Sequence, residues 1–338
     1  MNPSIADSAR PSSVAPEIPG SLPERQGQTR FVHRRVGVMG LGHMGQAFAA
    51  NLIADGHQVF VWDRNPERTH VLQRSGAHAA VRLADLSHYD AVISSVSDDD
   101  ALAAVALGAE GLVSVLAAQT VHISMSTVSP ALSGRLVEKH ALHGQAYVAA
   151  PVLGNPDAAQ ARKLFVLAAG RAAAVEKVRP LLEGFGQRLF VIAESAAAAN
   201  LVKLAGNVLT ATALESMGEV LALLRKGGVD PGVAFDVITN SLFDSQVHRT
   251  YGRKIVEQHY SPAGMAVPLA VKDLWLALAE AEREAVPMPA ASLVHDRLVG
   301  MLARGWADLD WSALGLLAAR DAGLDDAATA DGASSPRP

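Results

Sequence analysis

Three glycines lie at the spacing of a phosphate-binding loop in the stretch VGVMGLGHMGQAFAANLIADGHQVFVWDRNP, residues 36 to 66. Gly40 lets the chain turn sharply after a strand, Gly42 lets a pyrophosphate approach the backbone, and Gly45 lets the next helix pack closely on the sheet. The free N–H groups at the start of that helix would face the phosphates. An ordinary tight turn is the alternative, but the strand before and the helix after favour dinucleotide binding. The expected contacts of this loop come from Gly40, Leu41, Gly42, His43, Met44 and Gly45.

An acid at the end of the second predicted strand extends this pattern. Asp63 would accept hydrogen bonds from the adenosine ribose hydroxyls, which favours NAD because a 2′-phosphate would meet a carboxylate there. Arg64 follows directly, and its guanidinium could stack on adenine, bind a 2′-phosphate or simply lie at the surface. The cofactor choice between NAD and NADP therefore stays open, with a slight preference for NAD. A third strand end places Val96, Ser97 and Asp98 near the same cofactor, with Asp98 at a helix N-terminus.

A lysine and an asparagine four residues apart form a second candidate pair, Lys203 and Asn207 in NLVKLAGN. The i,i+4 spacing puts both on one face of a helix. A lysine can act as acid and base only if its pKa falls towards neutrality, which burial between two domains can achieve. The alternative is a lysine at the edge of an apolar helix with its charge in water.

Short runs rich in β-branched residues alternate with helical stretches from Val36 onwards, which is typical of a doubly wound, mostly parallel α/β sheet. The predicted strands are RVGVMG, QVFVWD, AVISSV, TVHISM, AYVAAPV and KLFVLAAG. Such sheets bind ligands at the carboxyl ends of their strands, where the strand order reverses. The first domain is therefore expected to be a Rossmann domain over residues 34–194.

One long helix is predicted from Ala196 to Lys226, with Ser195 as its N-cap and apolar residues mostly on one face. Roughly thirty residues at about 1.5 Å each reach about 45 Å, so this helix should join the sheet to a second domain. The following segments also have helical patterns between Pro and Gly breaks, which predicts an all-α domain over residues 195–321. The polar segments 1–33 and 322–338 are predicted to be disordered tails.

The charge and amino-acid composition of the chain limit the classes of molecule that it is expected to bind. The net charge of −5 offers no basic stripe for a phosphate backbone, which disfavours nucleic acid and favours a small-molecule substrate. No run approaches the roughly 20 apolar residues of a membrane span, and the N-terminus lacks the apolar core of a secretory signal. The chain has no cysteine, and its twelve histidines show no metal-like clustering, so no metal site is predicted. A cytoplasmic location is compatible with these features.

The stretch GLGHMGQAFAANLIADG closely resembles the β-hydroxyacid dehydrogenase family, which includes 3-hydroxyisobutyrate dehydrogenase, tartronate semialdehyde reductase and glyoxylate/succinic semialdehyde reductase. The family is related to 6-phosphogluconate dehydrogenase. The resemblance runs in register through four motifs, from about Val36 to Arg320. It implies a Rossmann domain, a helical domain joined by one long helix, a nicotinamide cofactor, and a homodimer or homotetramer formed through the helical domain.

The resemblance also assigns roles to individual residues. It implies that Lys203 exchanges a proton with the substrate hydroxyl while hydride passes to or from the nicotinamide, and that Asn207 orients the reacting oxygen or the lysine. In SMSTVSP, Ser126 with its neighbour Thr127 would help to hold the substrate carboxylate, although either could instead cap the next helix. The K-D-L motif near the family's active site corresponds to Lys272, expected to contact cofactor and substrate, and Asp273; a solvated charge pair is the alternative.

The segment APVLGNPDAAQARKL departs from the family, whose members usually read A-P-V-S-G-G at this place. Leu153 replaces the serine that would grip the carboxylate, Gly154 is kept, and Asn155 replaces the second glycine. A leucine removes a donor and adds apolar surface, which predicts a more apolar pocket and puts carboxylate recognition in question. Ser124 also replaces the usual aspartate before the M-S motif.

Two other functions remain open. Imine reductases resemble this family in both domains and favour apolar pockets. An ammonium about 4 Å from an iminium would repel it by about 4 kcal/mol at an effective dielectric near 20, so Lys203 argues against them unless it is neutral. A dinucleotide-binding regulatory protein without turnover is the other possibility, and the retention of Lys203 with Asn207 argues against it.

Overall fold

A computed structural model describes residues 34–324, in which strands alternate with helices up to residue 193 and helices follow. The predicted N-terminal tail and most of the predicted C-terminal tail, residues 325–338, lie outside the described residues. The described part contains nine strands: β1 Arg35–Met39, β2 Gln58–Trp62, β3 His78–Ala79, β4 Ala91–Ser94, β5 Val121–Ser124, β6 Ala146–Ala149, β7 Val152–Leu153, β8 Leu164–Ala169 and β9 Gly186–Ala193. All six predicted strand segments are confirmed, but AYVAAPV is divided into β6 and β7 by Ala150 and Pro151.

The helices alternate with these strands and then continue alone. Their bounds in the described residues are α1 His43–Ala54, α2 Glu67–Arg74, α3 Asp99–Leu107, α4 Leu112–Val115, α5 Pro130–Ala141, α6 Pro156–Gln160, α7 Ala172–Gly184, α8 Ala196–Lys226, α9 Pro231–Thr239, α10 Gln246–Val256, α11 Val267–Arg283, α12 Pro289–Ala303 and α13 Leu314–Asp321. Two 3-10 turns span Leu83–Leu86 and Trp311–Ala313. The amides of Ala322, Gly323 and Leu324, at the start of the predicted second tail, still donate to carbonyls of α13.

The sheet has the strand order β3-β2-β1-β4-β5-β6, and every pair in this part is parallel. This is the strand order of doubly wound dinucleotide-binding domains, and it confirms the predicted Rossmann fold. Beyond β6 the pattern changes, because β8 runs antiparallel to β6 and β7 while β9 runs parallel to β8. The order reverses between β1 and β4, so their carboxyl ends form the crevice in which such sheets bind ligands.

Both faces of the sheet are covered by helices, which explains why its central strands are apolar throughout. On one face α1 and α7 pack together, with the rings of Phe48 and Phe185 at a centroid distance of 5.1 Å. On the other face α3, α5 and the first turn of α8 form a separate cluster that includes Leu136, Ala196 and Ala199. The sheet is thus the middle of three layers.

Helix α8 has the predicted bounds and is the central element of the helical half. Its residues from Leu204 to Leu221 form a core with α11, α12 and α13. Close approach to α13 requires glycine, because a Cβ on Gly218 would lie 2.8 Å from Gly315 Cα. The all-α character predicted for the second half is confirmed.

The prediction of a single apolar face on α8 is wrong. Leu209 and Leu223 are 72% and 70% exposed, whereas Leu204 and Leu221 are buried. The helix is apolar around much of its circumference. By length and composition alone, α8 is the one described helix that could cross a membrane, contrary to the sequence prediction, but core helices of soluble proteins share both properties.

A buried chain of hydrogen bonds crosses the sheet beneath α5. Ser94 Oγ lies 2.8 Å from His122 Nε2, His122 Nδ1 lies 2.8 Å from His140 Nε2, and His140 Nδ1 lies 2.6 Å from Gln145 Oε1. Gln145 Nε2 donates to two backbone carbonyls, so its Oε1 must accept. The chain therefore runs in one direction, with each neutral histidine donating through Nδ1 and accepting at Nε2.

Acid should destabilise the protein through this chain. Burial lowers the pKa of His140 to about 4 and that of His122 well below its ordinary value. In the unfolded chain these histidines bind protons below about pH 6.5, whereas in the folded protein they stay neutral. Their contribution to the free energy of unfolding is therefore fully present above about pH 6.5 and is lost as the pH falls towards 4. For His140 alone the loss is roughly 3 kcal/mol. Urea unfolding between pH 7.5 and 4.5 measures this loss. His259→Gln, at an exposed histidine outside the hydrogen-bond chain, should leave this loss unchanged. A wild-type loss of less than about 1 kcal/mol between these pH values would contradict the expectation.

A buried ion pair connects α8 to α12. Arg297 Nε donates to Glu215 Oε1 at 2.6 Å, and Arg297 also pairs with Asp321 at the end of α13. The Glu215 side chain is only 4% exposed, and its second oxygen, Oε2, has no hydrogen-bond partner among the described residues. Burial raises the pKa of Glu215, and Arg297 opposes that shift. Arg297 thus compensates a carboxylate that would otherwise be buried without a counter-charge.

Candidate active site

The glycine loop connects β1 to α1 in the manner that the sequence predicts. Gly40 has a φ of +80°, and a Cβ there would lie 2.3 Å from the Ser95 carbonyl oxygen. A Cβ on Gly45 would lie 1.9 Å from the Gly40 carbonyl oxygen, so both positions require glycine. A Cβ on Gly42 would meet no atom within 4 Å, which leaves open space beside the loop.

The N-terminus of α1 is suited to an anion. Helix α1 has Gly42 at its N-cap position, no side-chain cap and no acidic residue in its first turn; α7 and α8 also lack both. What distinguishes α1 is the glycine loop before it and the open space beside Gly42. The amides of His43, Met44 and Gly45 begin the helix and have no acceptor within it. The residues present therefore fit the pyrophosphate of a dinucleotide, held by backbone N–H groups and the helix dipole.

Asp63 lies directly after β2 and beside the glycine loop. Its Oδ2 accepts from the Leu41 amide at 2.6 Å, and its Oδ1 accepts from the Asn65 amide at 2.8 Å. Arg68 lies 3.5 Å from the same carboxylate, while Arg64 is exposed. The residue predicted to bind the adenosine ribose therefore also holds the glycine loop in its conformation.

A hydrogen bond between predicted site residues connects the segments that follow β4 and β5. The Val96 amide donates to Ser126 Oγ at 2.9 Å, and the Ser97 hydroxyl donates to Asp98 Oδ2 at 2.6 Å. Asp98 caps α3 through the Ala101 amide, and the Ser97 hydrogen bond is the largest cause of its lowered pKa. Helix α5 is capped by a different residue, Ser129. The capping alternative for Ser126 and Thr127 is therefore wrong.

Four polar side chains form a connected chain between the two halves of the protein. Lys203 Nζ donates to Asn207 Oδ1 at 3.0 Å, and Asn207 Nδ2 donates to Asp273 Oδ2 at 2.5 Å. The other carboxylate oxygen, Oδ1, lies 2.8 Å from Lys272 Nζ, which also donates to the Thr127 carbonyl at 2.6 Å. Asp273 is 2% exposed, so the alternative of a solvated Lys272–Asp273 pair is wrong for the aspartate.

The electrostatics of this chain suit proton transfer. Burial lowers the pKa of Lys203 from its usual value near 10.5 to about 8. The charge of Asp273 opposes this shift, and that of Lys272 adds to it. Lys203 is 9% exposed, so the alternative of a surface lysine does not hold. The amine can thus exist in either protonation state near neutral pH, as an acid–base group must.

The turn after β7 carries the residues that depart from the resembling family. Gly154 has a φ of +136°, and a Cβ there would lie 2.6 Å from Leu164 Cδ2. Asn155 caps α6, since its Oδ1 accepts from the Ala158 amide at 2.9 Å. Leu153 Cδ2 would lie 2.9 Å from a Cβ on Gly206, so the leucine lies directly over α8 between Lys203 and Asn207. The predicted increase in apolar surface occurs beside the candidate acid–base residue.

A cavity of about 550 Å³ opens beside Lys203 and Asn207. Its walls also contain residues that the sequence did not single out, among them Phe165, Val247, Tyr251, Met265 and Trp311. They come from β8, α10, the segment before α11 and the turn before α13, and no local spacing connects them. In the described residues, no group of three or more His, Asp or Glu side chains is arranged to hold a metal ion.

The sheet order, the uncapped first helix and the buried lysine beside a cavity define a two-domain oxidoreductase that uses a nicotinamide dinucleotide. Residues 35–193 match the family model for the NAD binding domain of 6-phosphogluconate dehydrogenase, and residues 197–329 match the model for the NAD-binding domain of NADP-dependent 3-hydroxyisobutyrate dehydrogenase. The chain belongs to the β-hydroxyacid dehydrogenase family, as the resemblance predicts.

Individual relatives support this assignment. The chain is 39% identical to the uncharacterized oxidoreductase YfjR of Bacillus subtilis over 83% of this chain and 98% of that protein. It is 30% identical to 3-hydroxyisobutyrate dehydrogenase of Pseudomonas aeruginosa over 77% of this chain and 90% of that protein. The crystal structure of 3-hydroxyisobutyrate dehydrogenase from Salmonella typhimurium has a TM-score of 0.76 and 25% identity, covering 84% of this chain and 99% of that one. The chain is an enzyme of this class, and the regulatory alternative is not retained.

Proposed function

We propose that this enzyme transfers a hydride between nicotinamide and a 3-hydroxy acid or its semialdehyde or keto counterpart, with Lys203 as the general acid and base. The observation that carries this proposal is the buried amine with a pKa of about 8, held by Asn207 at the mouth of a cavity. Family membership supports the hydroxy acid class of substrate. The roles of the individual residues rest on their positions in the structure.

Bound nicotinamide supplies the hydride acceptor or donor. During oxidation, neutral Lys203 takes the proton of the substrate hydroxyl as the C–H hydride leaves; during reduction, its ammonium returns that proton to the developing alkoxide. Asn207 directs the amine through its Oδ1, and Asp273 holds the Asn207 amide so that Oδ1 faces the lysine. We assign Ser126 and Thr127, which follow β5, and Gly154, which follows β7, to the substrate carboxylate.

For the cofactor we propose NAD, because Asp63 follows β2 and accepts from the glycine loop, and its carboxylate would repel a 2′-phosphate bound beside it. Arg64 and Arg68 are the groups through which NADP would be accepted instead. We further propose a cytoplasmic homodimer or homotetramer, with no nucleic acid or membrane partner. The exposed leucines of α8, Leu209 and Leu223, support an interface on the helical half, and light scattering of the purified protein tests it.

An imine reductase is the second candidate function, and the leucine at position 153 favours it because it makes the site apolar beside the reacting atoms. Lys203 limits this candidate, since its ammonium repels an iminium, although a pKa of about 8 leaves part of the amine neutral at pH 8. Reduction of a cyclic imine with Lys203→Ala as fast as with the wild type would favour this candidate.

The pH dependence of turnover tests the proposed role of Lys203. Oxidation needs the neutral amine, so kcat/KM for a 3-hydroxy acid should rise with pH and level off above about pH 8; reduction needs the ammonium and should fall above it. In Asp273→Asn the charge that raises the Lys203 pKa is gone, so both midpoints should move to lower pH. Steady-state profiles from pH 6 to 10 measure these shifts.

A matched control is Asp296→Asn, at an aspartate side chain that is 87% exposed on α12, and it should keep the wild-type midpoint. Midpoints that are the same in the wild type and Asp273→Asn would contradict the assignment of the ionisation to Lys203.

A further inference from the structure

The cavity beside Lys203 contains an apolar chamber, defined here by Leu153, Phe165, Val247, Tyr251, Met265 and Trp311. Neither the glycine loop nor residues 96 to 98 line the cavity, so the chamber is separate from the residues assigned to the dinucleotide. This separation makes the chamber a candidate site for part of the substrate.

The chamber is larger than a small hydroxy acid requires. The cavity volume of about 550 Å³ falls within the range of pockets that hold drug-sized ligands, which is about 300 to 1,000 Å³. A hydroxy acid with four carbons has only a handful of heavy atoms and would leave most of this space to water. Apolar walls bind water poorly, so the space favours an apolar substituent.

The walls carry little charge. Among the lining residues are two lysines, Lys203 and the exposed Lys163, and no aspartate or glutamate. Lys203 is already bonded to Asn207, and Leu153 covers the adjoining surface of α8 at Gly206. The six residues that define the chamber carry no charge, so a second charged group among them would lose its hydration without gaining an ionic partner there. An uncharged hydrocarbon group has no such penalty.

The wall of the chamber that contains Met265 and Trp311 is held in a fixed position by hydrogen bonds. Asp310 is fully buried, and its Oδ2 accepts from the amides of Gly264 and Met265 and from Lys254 Nζ at distances of 2.9 to 3.2 Å. Trp311 follows directly and packs edge-on against the Tyr251 ring at 5.7 Å between centroids. The chamber is thus preformed and does not depend on a mobile side chain closing over the ligand.

We propose that the substrate is a 3-hydroxy acid, or the matching aldehyde, whose carbon next to the carboxylate carries a branched aliphatic or aromatic group that fills this chamber. This inference rests on the proposed function, and the reaction is unchanged: hydride leaves the hydroxymethyl carbon, and the hydroxyl proton goes to Lys203. The small substrates of four carbons or fewer leave the chamber empty.

Oxidation of the series HOCH2–CH(R)–COO⁻, with R as hydrogen, methyl, isobutyl and phenyl, tests the inference. Each buried CH2 contributes about 0.8 kcal/mol, so kcat/KM should increase at least about tenfold from methyl to isobutyl or phenyl. Val247→Trp fills the chamber and should reverse this preference. Val233→Trp, the same change at an exposed position of α9, should keep it. An equal or higher kcat/KM for methyl in the wild type would overturn the inference.

Binding to the cofactor-free protein separates this inference from the proposed function. Calorimetry should show that 4-methylpentanoate binds at least about tenfold more tightly than propionate, and that Val247→Trp removes the difference. If this holds while no hydroxy acid is oxidised, the chamber is supported and the proposed function fails. If small hydroxy acids are oxidised and both acids bind equally, the function stands and the inference fails.

Discussion

Replacing Lys203 by alanine is expected to reduce kcat/KM by about 100- to 10,000-fold in both directions, the range attributed to a positioned acid–base group. The alanine leaves the substrate hydroxyl without a proton acceptor during oxidation and the alkoxide without a donor during reduction. Asn207 Oδ1 also loses the hydrogen bond from Lys203, while Asn207 Nδ2 keeps its bond to Asp273. Steady-state oxidation of the best hydroxy acid, with the variant and the wild type side by side, measures the loss.

Lys226→Ala is the matched control, because Lys226 lies on the same helix but is exposed at its C-terminal end. It should keep nearly full activity. Dinucleotide binding should survive in Lys203→Ala, since Lys203 has no hydrogen bond to the glycine loop among the described residues, and added ethylamine should restore part of the rate. A variant with more than a tenth of wild-type activity would refute the assigned role.

Replacing Arg297 by alanine is expected to lower the free energy of unfolding by about 3 kcal/mol or more, a large part of the roughly 5 to 15 kcal/mol of a typical protein. The reason is that Glu215 remains buried in α8 without its counter-charge, and α12 loses its ion pair with Asp321 at the end of α13. Urea unfolding at pH 7.5 measures the change.

The double variant Glu215→Leu/Arg297→Met should recover most of the lost stability, because two apolar side chains of similar length replace the pair. Arg283→Ala provides the control: its pair with Glu280 has an arginine that is 63% exposed, and surface pairs contribute at most about 1 kcal/mol. Equal losses in Arg297→Ala and Arg283→Ala would show that burial of the Glu215 pair is unimportant.

The glycine loop and the long helix could be predicted because local requirements determine them. Gly45 has no space for a Cβ because the Gly40 carbonyl lies one turn away, and Gly40 has a φ of +80°, which favours glycine; both constraints are local, although Gly40 is also crowded by the distant Ser95 carbonyl. The bounds of α8 follow from the absence of proline over its length and the glycine that ends it. The pairing of Lys203 with Asn207 follows from helical spacing alone.

Tertiary contacts decide what could not be predicted. Nothing local indicates that Ser126 accepts the Val96 amide while Ser129 caps the next helix. The apolar residues of α8 could not be divided into buried and exposed ones, because α11, α12 and α13 determine which side is covered. The chamber joins residues from Leu153 to Trp311, which no sequence pattern connects.

Helix α8 belongs to two hydrophobic cores at once. Its first turns supply Ala196 and Ala199 to the layer beneath the sheet, and Asn200 accepts a hydrogen bond from Ser133 of α5. Further along, Leu204 to Leu221 form the centre of the helical half. If either half unfolds, α8 no longer covers the core of the other half, and buried apolar residues there become exposed. Heating should therefore produce one cooperative unfolding transition. A fragment ending at residue 194 would expose bare apolar surface on its sheet and would precipitate more readily than the whole enzyme.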